Sequence, residues 1–216
     1  MSAQIVAGAI SPSRGWRYSA AVITTTSSFG ADAADTLAAV AALRITVFRE
    51  FPYLYEGSLA YEEKYLASYT ASPQHVVVVA RDGDTVIGAA TAMPLTAHTD
   101  DVAPPLAAAG YDPARVYYFG ESVLLPAYRG RGLGNAFFDH REAAARRFGF
   151  TTATFCAVAR PADHPARPAG YIPHDAFWTK RGFTRRDELR TTFSWLDVGD
   201  AHDTAKEMVF WTKELT

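Results

Sequence analysis

The 216-residue sequence predicts an α+β fold, a mixed sheet with helices packed against it. Three observations carry this expectation. Val76 to Val79 is a run of four valines, the mark of a strand buried on both faces. Asp82-Gly83-Asp84 follows it as a hairpin turn that sends the chain back antiparallel. Further on, the apolar stretch Val116 to Leu125 enters a glycine-rich turn that opens at once into an amphipathic helix, with another apolar strand behind it.

Taken in order, residues 1–17 read as an N-terminal arm and 18–216 as a single domain. Tyr18 to Thr26 is rich in Ala, Val, Ile and Thr and predicts a first strand, and Ser27 to Ala31 a turn. From Asp35 to Phe51, the residues Leu37, Val40, Leu43, Val47, Phe48 and Phe51 recur at helical spacing, and Pro52 ends that helix. An aromatic loop to Gly57 leads to a second helix, Leu59 to Tyr69. His75 to Arg81 and Val86 to Leu95 form the hairpin. Thr96 to Arg115 carries no strand signal and is long for a loop, so it is a lid or a short helical insert. The helix Leu133 to Phe148 stops at Gly149, and Thr151 to Ala159 is the next strand. A proline-rich loop, Arg160 to His174, precedes a short helix, Asp175 to Arg181. Two last strands, Thr191 to Leu196 and Met208 to Lys213, flank an acidic loop.

Composition excludes several classes. Hydrophobic residues make up 49% and charged residues 20%, which is globular rather than disordered. The formal net charge of -2 argues against a general nucleic-acid binder. The one cysteine, Cys156, allows no internal disulfide and suggests a reducing, cytoplasmic setting. It sits mid-strand and reads as a small core residue. No apolar run approaches a membrane span, so no membrane partner is expected. Asp163, His164, His174 and Asp175 match no metal template, so no metal site is expected. Arg141, Arg146 and Arg147 read as a solvated helix face balanced by Asp139 and Glu142.

The chemistry concentrates between Glu121 and Asn135. Gly130, Gly132 and Gly134 let a backbone approach an anion, and the N–H groups of a starting helix face it. Arg129 and Arg131 add cationic donors. The result is a phosphate or pyrophosphate cradle. Its spacing fits neither the dinucleotide fingerprint nor a Walker loop, which disfavours a nucleotide-binding protein.

Arg129-x-x-Gly132-x-Gly134, preceded by Leu-Leu-Pro-Ala-Tyr, resembles the Q/R-x-x-G-x-G/A motif of the GNAT acyltransferase superfamily. The element order is similar over most of the chain, and the Phe177 to Phe183 segment resembles the family's last helix with its Gly-Phe ending. The resemblance implies a GNAT-like mixed sheet, splayed at its centre, with helices on both faces. It implies acetyl-CoA as cofactor and an amine as acceptor, more in keeping with a small molecule than a protein, and leaves a homodimer open. The expected cofactor contacts are Val123, Leu124 and Leu125 along the strand, Arg129, Gly130, Arg131, Gly132, Leu133, Gly134 and Asn135 at the pyrophosphate, and Trp178. Glu121 would be the base or the anchor of the incoming ammonium, with Tyr118 as runner-up. Trp178 stands where many members have a Tyr that serves the departing thiolate; Tyr171 is the catalytic or cofactor-contacting substitute, and Lys180 and Arg181 are candidates for a cofactor phosphate or for the helix's own dipole. Tyr53, Tyr55 and Glu56 would form an acceptor pocket whose aromatic faces favour a cation. The competing reading is a non-catalytic acyl-CoA sensor, which Trp178 supports and Glu121 opposes.

Overall fold

The computed structural model describes residues 23–97 and 101–216. The arm at 1–17 and the start of the first predicted strand lie outside them. β1 (Ile23–Phe29), β2 (Val76–Asp82), β3 (Thr85–Pro94), β4 (Val116–Leu124), β5 (Thr152–Val158), β6 (Thr184–Trp195) and β7 (Thr204–Glu214) form one open sheet, ordered β1-β2-β3-β4-β5-β7-β6. Every neighbouring pair is antiparallel except β4 with β5. The helices are α1 (Leu37–Phe48), α2 (Leu59–Leu66), α3 (Ala103–Ala108), α4 (Leu133–Arg147) and α5 (Asp175–Lys180).

The valine run shows how the layers are built. Val76, Val78 and Ala80 face one core with Phe137 and Phe138 of α4, and Phe177 and Trp178 of α5 pack on it. Val77 and Val79 face the other core with Val40 and Leu43 of α1 and Leu66 of α2. Successive side chains of a strand point to opposite faces, so a strand covered by helices on both sides is apolar throughout. Gly149, at φ 80°, closes α4, with the Phe150 N–H donating to the Ala145 carbonyl at 3.0 Å.

Several boundaries differ from expectation. β1 runs through Ser27 and Ser28 to Phe29, because these pair with Val78, Val77 and Val76 and the ladder overrides their turn-like character. α1 begins after a 3-10 stretch, Gly30–Thr36, and ends at Phe48. β6 begins at Thr184, seven residues before the predicted Thr191. Its first half is charged, which an edge strand tolerates, and it carries a register shift between Arg186 and Arg190. The 96–115 stretch contains α3. Arg141 corrects the sequence reading outright. It lies one turn beyond Phe137, faces the sheet and is 1% exposed.

Two irregularities at the sheet's centre position everything that follows. β4 and β5 pair only at Val116–Thr152, Tyr117–Ala153 and Tyr118–Thr154; beyond that β4 continues to Leu124 and β5 to Val158 with no mutual partner. The sheet is splayed there. On its other edge, β4 slips against β3 between Ala92–Phe119 and Ala90–Ser122, so Gly120 and Glu121 together oppose Thr91. This bulge needs a glycine, because a Cβ on Gly120 would lie 2.6 Å from both the Thr91 and the Tyr69 hydroxyl oxygens. Gly120→Ala is therefore expected to lower unfolding stability by about 1–3 kcal/mol. A urea midpoint equal to wild type would show that Tyr69 and Thr91 yield freely.

Candidate functional site

The splay opens a cleft of about 1230 Å³ that passes between β4 and β5. Glu121, Ser122 and Leu124 line one wall and Phe155 to Ala159 the other. Its floor is where the strands part: Tyr118 Oη and Cys156 Sγ lie 3.3 Å apart. Burial pushes the Cys156 thiol up to about 12, and burial holds the Tyr118 phenol well above its usual range. Both are therefore neutral.

β4's backbone has two differently employed edges. Val123 pairs with Ala89 of β3, and the Leu125 N–H donates to the Ile87 carbonyl at 3.0 Å. Alternation then turns the peptide groups of Ser122 and Leu124 the other way, into the splay. Of the three strand residues expected to meet a cofactor, Leu124 thus has its backbone on the cleft side, whereas Val123 and Leu125 direct theirs to β3.

At one end of the cleft lies the glycine loop. Gly130 and Gly132 sit at φ 75° and 83°, and a Cβ on either would enter open space. Gly134 lies against the Phe177 ring, its would-be Cβ 3.4 Å away. Among the described residues no carbonyl accepts from the N–H groups of Gly130 to Gly134, Arg131 and Leu133 included. The Asn135 N–H is already given to the Gly132 carbonyl at 2.9 Å. Arg129 donates to the Leu124 carbonyl at 3.2 Å and pairs with Glu50 at 2.9 Å, half in solvent; Arg131 stacks on Tyr128. An unfilled ring of N–H donors at a helix start, flanked by arginines, fits a pyrophosphate.

Toward the other end, Glu121 is 4% exposed, and one of its oxygens accepts from Arg44 at 2.8 Å and from the Tyr65 hydroxyl at 3.3 Å. Its N–H donates to the Thr91 hydroxyl at 3.3 Å. Arg44 also pairs with the fully buried Glu62 and lies 4.6 Å over the Tyr65 ring. Burial opposes the Arg44 charge, but Glu121, Tyr65 and Glu62 outweigh it and raise its pKa. Oε1 of Glu121 and Oε1 of Glu62 have no partner among the described residues. Sequence reasoning missed Arg44, Glu62 and Tyr65. The signal was present: Arg44 is the only charge in α1.

The remaining predictions divide. Tyr53 and Tyr55 line the cleft; burial raises both phenols, and Glu62 adds to the effect on Tyr55. Glu56 pairs instead with Arg49 on the exposed surface and takes no part in the lining. Neighbouring rings already carry cations of the chain itself: Arg44 covers Phe48 and Tyr65, Arg160 and Lys206 cover Trp195, and Arg167 covers Tyr171. Tyr171 lines the cleft with its ring edge-on to Phe51 at 4.7 Å, its phenol raised by burial. Trp178 also lines it, wedged between Phe155 and Trp211. Arg181 is spent on Asp139 and Glu142. Among the described residues no cluster of metal-ligating side chains occurs, and no helix is long and apolar enough to cross a membrane.

A slot between parted strands, with unpaired N–H groups at one end and a buried carboxylate partway along the same strand, has the chemistry to hold an extended, phosphorylated ligand beside an acid group. The sequence model of the Acetyltransferase (GNAT) family matches residues 37–183, and the chain belongs to this family, which transfers acyl groups from acetyl-CoA. Among solved structures, a ribosomal-protein-alanine N-acetyltransferase from Brucella melitensis is 15% identical, with a TM-score of 0.56, covering 90% of this chain and 99% of that one. The protein yncA from Salmonella typhimurium, solved with its cofactor acetyl-CoA, is 17% identical at a TM-score of 0.56, covering 89% and 94%. An N-acetyltransferase from Staphylococcus aureus is 13% identical at 0.57, covering 89% and 99%. At such identities the likeness is one of fold. A search of curated proteins gives no match.

The buried, neutral thiol yields a direct check. Cys156 is expected to resist iodoacetamide at pH 8 in the folded protein and to react fully in guanidinium. Rapid labelling of the folded chain would place a thiolate in the cleft.

Proposed function

We propose that this chain is an N-acetyltransferase that moves acetyl from acetyl-CoA directly to a primary amine, both held at once in the cleft. The observation that carries the reading is that one strand, β4, presents an acid group and a cleft-facing backbone edge and then runs into an anion cradle. When bound, the cofactor supplies an acyl group activated as a thioester. The N–H groups of Gly130 to Gly134 would hold its pyrophosphate, with Arg129 and Arg131 as flanking cations. The Leu124 and Ser122 peptide groups offer hydrogen bonds to the arm and the carbonyl that lie along β4. Phe155, Phe177 and Trp178 present an apolar wall that keeps water from the thioester.

Glu121 has the role of anchoring the acceptor's ammonium and collecting its proton. Arg44 and Tyr65 occupy one of its oxygens and fix its direction, while the buried Oε1 has no partner among the described residues and is the oxygen left to accept. Tyr171, neutral and cleft-lining, is the hydroxyl donor available to the departing thiolate. The acceptor we favour is a small monoamine. Arg44, Arg129, Arg160 and Arg185 are paired with carboxylates, so the lining offers no surplus of negative charge for a polycation to grip.

Acetyl-CoA, and not ATP or NAD, is expected to raise the melting temperature; at ~100 times Kd the gain is about 2.7 kcal/mol. Gly132→Glu, which sends a charged side chain into the open space of the cradle, should abolish that rise. A retained rise would place the pyrophosphate elsewhere. Glu121→Gln should keep cofactor affinity and lower acceptor-dependent release of free CoA by roughly 10²-fold. Turnover at the wild-type rate would remove Glu121 from the chemistry, and no release with any amine would favour an acyl-CoA sensor.

A further inference from the structure

Arg141 is the buried charge that the site described above leaves unused. It is 1% exposed, and among the described residues no carboxylate pairs with it. Burial, with a smaller push from Arg181, brings its guanidinium down to about 9 against the opposing charge of Glu121; it is still a cation at neutral pH. An unpaired buried guanidinium is costly unless its donors are used. Nε and Nη1 donate to backbone, while the buried Nη2 has no partner among the described residues. Nε donates to the Phe137 carbonyl at 3.1 Å, within its own helix. Nη1 reaches the Thr91 carbonyl at 3.5 Å and the Glu121 carbonyl at 3.4 Å. Its flat faces are packed by Phe119 at 4.5 Å and Phe138 at 4.8 Å.

Those two carbonyls belong to the β3–β4 bulge. A bulge leaves backbone groups without ladder partners. Here the Glu121 N–H is taken by the Thr91 hydroxyl, which in turn bonds the Tyr69 hydroxyl at 3.0 Å. The Glu121 and Thr91 carbonyls are taken by Arg141. The slip in register also sets the direction of the strand's side chains. Phe119 joins the α4 core, while Glu121, two residues on, meets Arg44 and Tyr65 from the helices on the opposite face. In a regular strand residues two apart share a face, so the carboxylate reaches the α1–α2 side only because the bulge persists.

We infer that Arg141 is a positioning residue: from the far side of the sheet it clamps the β4 bulge and thereby aims the Glu121 carboxylate into the acceptor end of the cleft. Its positive charge, with that of Arg44, also balances Glu62 and Glu121, so the buried set is neutral as a whole. This rests on the role proposed for Glu121.

The test uses the full chain with Arg141→Lys, Arg141→Met and Glu121→Gln, singly, and Arg141→Met with Glu121→Gln together. Arg141→Met should lower kcat at least tenfold, with acetyl-CoA affinity, read by thermal shift, within twofold of wild type. Arg141→Lys keeps the charge but, as a single nitrogen on a shorter reach, cannot hold the bulge carbonyls and the Phe137 carbonyl together as Nη1 and Nε do, and should recover part of the loss. In the double variant kcat should fall no more than twofold below Glu121→Gln alone, because both changes disable one device. Without cofactor, amide hydrogen exchange at Gly120 to Val123 should quicken in Arg141→Lys. Wild-type kcat in both Arg141 variants, losses that multiply in the double variant, or unchanged exchange in Arg141→Lys would overturn the inference. If Arg141→Met does not fold, Arg141→Lys decides by its kcat and its exchange. Impaired Glu121→Gln beside unimpaired Arg141 variants sinks the clamp alone; unimpaired Glu121→Gln sinks the role of Glu121 itself.

Discussion

The structure turns on the failure of β4 and β5 to stay paired. Three residue pairs join them, and then the strands part while each keeps its other neighbour. Buried backbone groups are almost never left without partners, so a parted edge in the middle of a sheet is a demand for something to fill it. In the proposed function, the cofactor's extended, amide-bearing arm would meet that demand in the way a missing strand would. The rest of the site follows from this opening. The cradle is where β4 leaves the sheet, the apolar wall is β5 with α5 behind it, and the carboxylate stands on β4 before the slot ends at Tyr118 and Cys156.

Buried charge is the second feature that needs a reason. Arg44, Glu62, Glu121 and Arg141 are all inaccessible or nearly so, and replacing such a set by apolar residues would often cost nothing in stability. Their value lies in direction. Arg44 and Tyr65 fix one oxygen of Glu121 from α1 and α2, Thr91 and Tyr69 hold its N–H, and Arg141 holds its carbonyl from α4. A single residue is thus tied from both faces of the sheet.

Much of this was legible in the sequence, for identifiable reasons. The valine run, the hairpin turn, the glycine loop and the strand that carries Glu121 are local signals, and each element stands within a few residues of its expected place. What could not be read depended on pairing across distance. Ser27 and Ser28 look like a turn until Val77 and Val78 stand beside them. The charged half of β6 looks like a loop until it becomes an edge. Arg141 looks solvated because a one-residue slip in another strand supplies its acceptors, and no helical pattern encodes that slip. Tyr53 and Tyr55 reach the cleft as expected but Glu56 does not, since adjacent loop residues need not share a direction.

The cleft's arginines then sort by burial into two kinds. Arg44, Arg141 and Arg160 are nearly inaccessible and spent on internal partners; Arg160, for instance, grips Asp197 together with the Pro52 and Tyr53 carbonyls and so fixes the aromatic loop. Withdrawing any of them would strand a buried acceptor. Arg129 is different. Its pair with Glu50 leaves both side chains 45% exposed, and such pairs contribute about 0–1 kcal/mol. In the proposed cradle, a doubly charged pyrophosphate would compete with this single, screened carboxylate for the guanidinium at little cost. Glu50 lies just past the end of α1, the helix that carries Arg44, so this weak pair ties the loop of the glycine turn to the helix that directs Glu121.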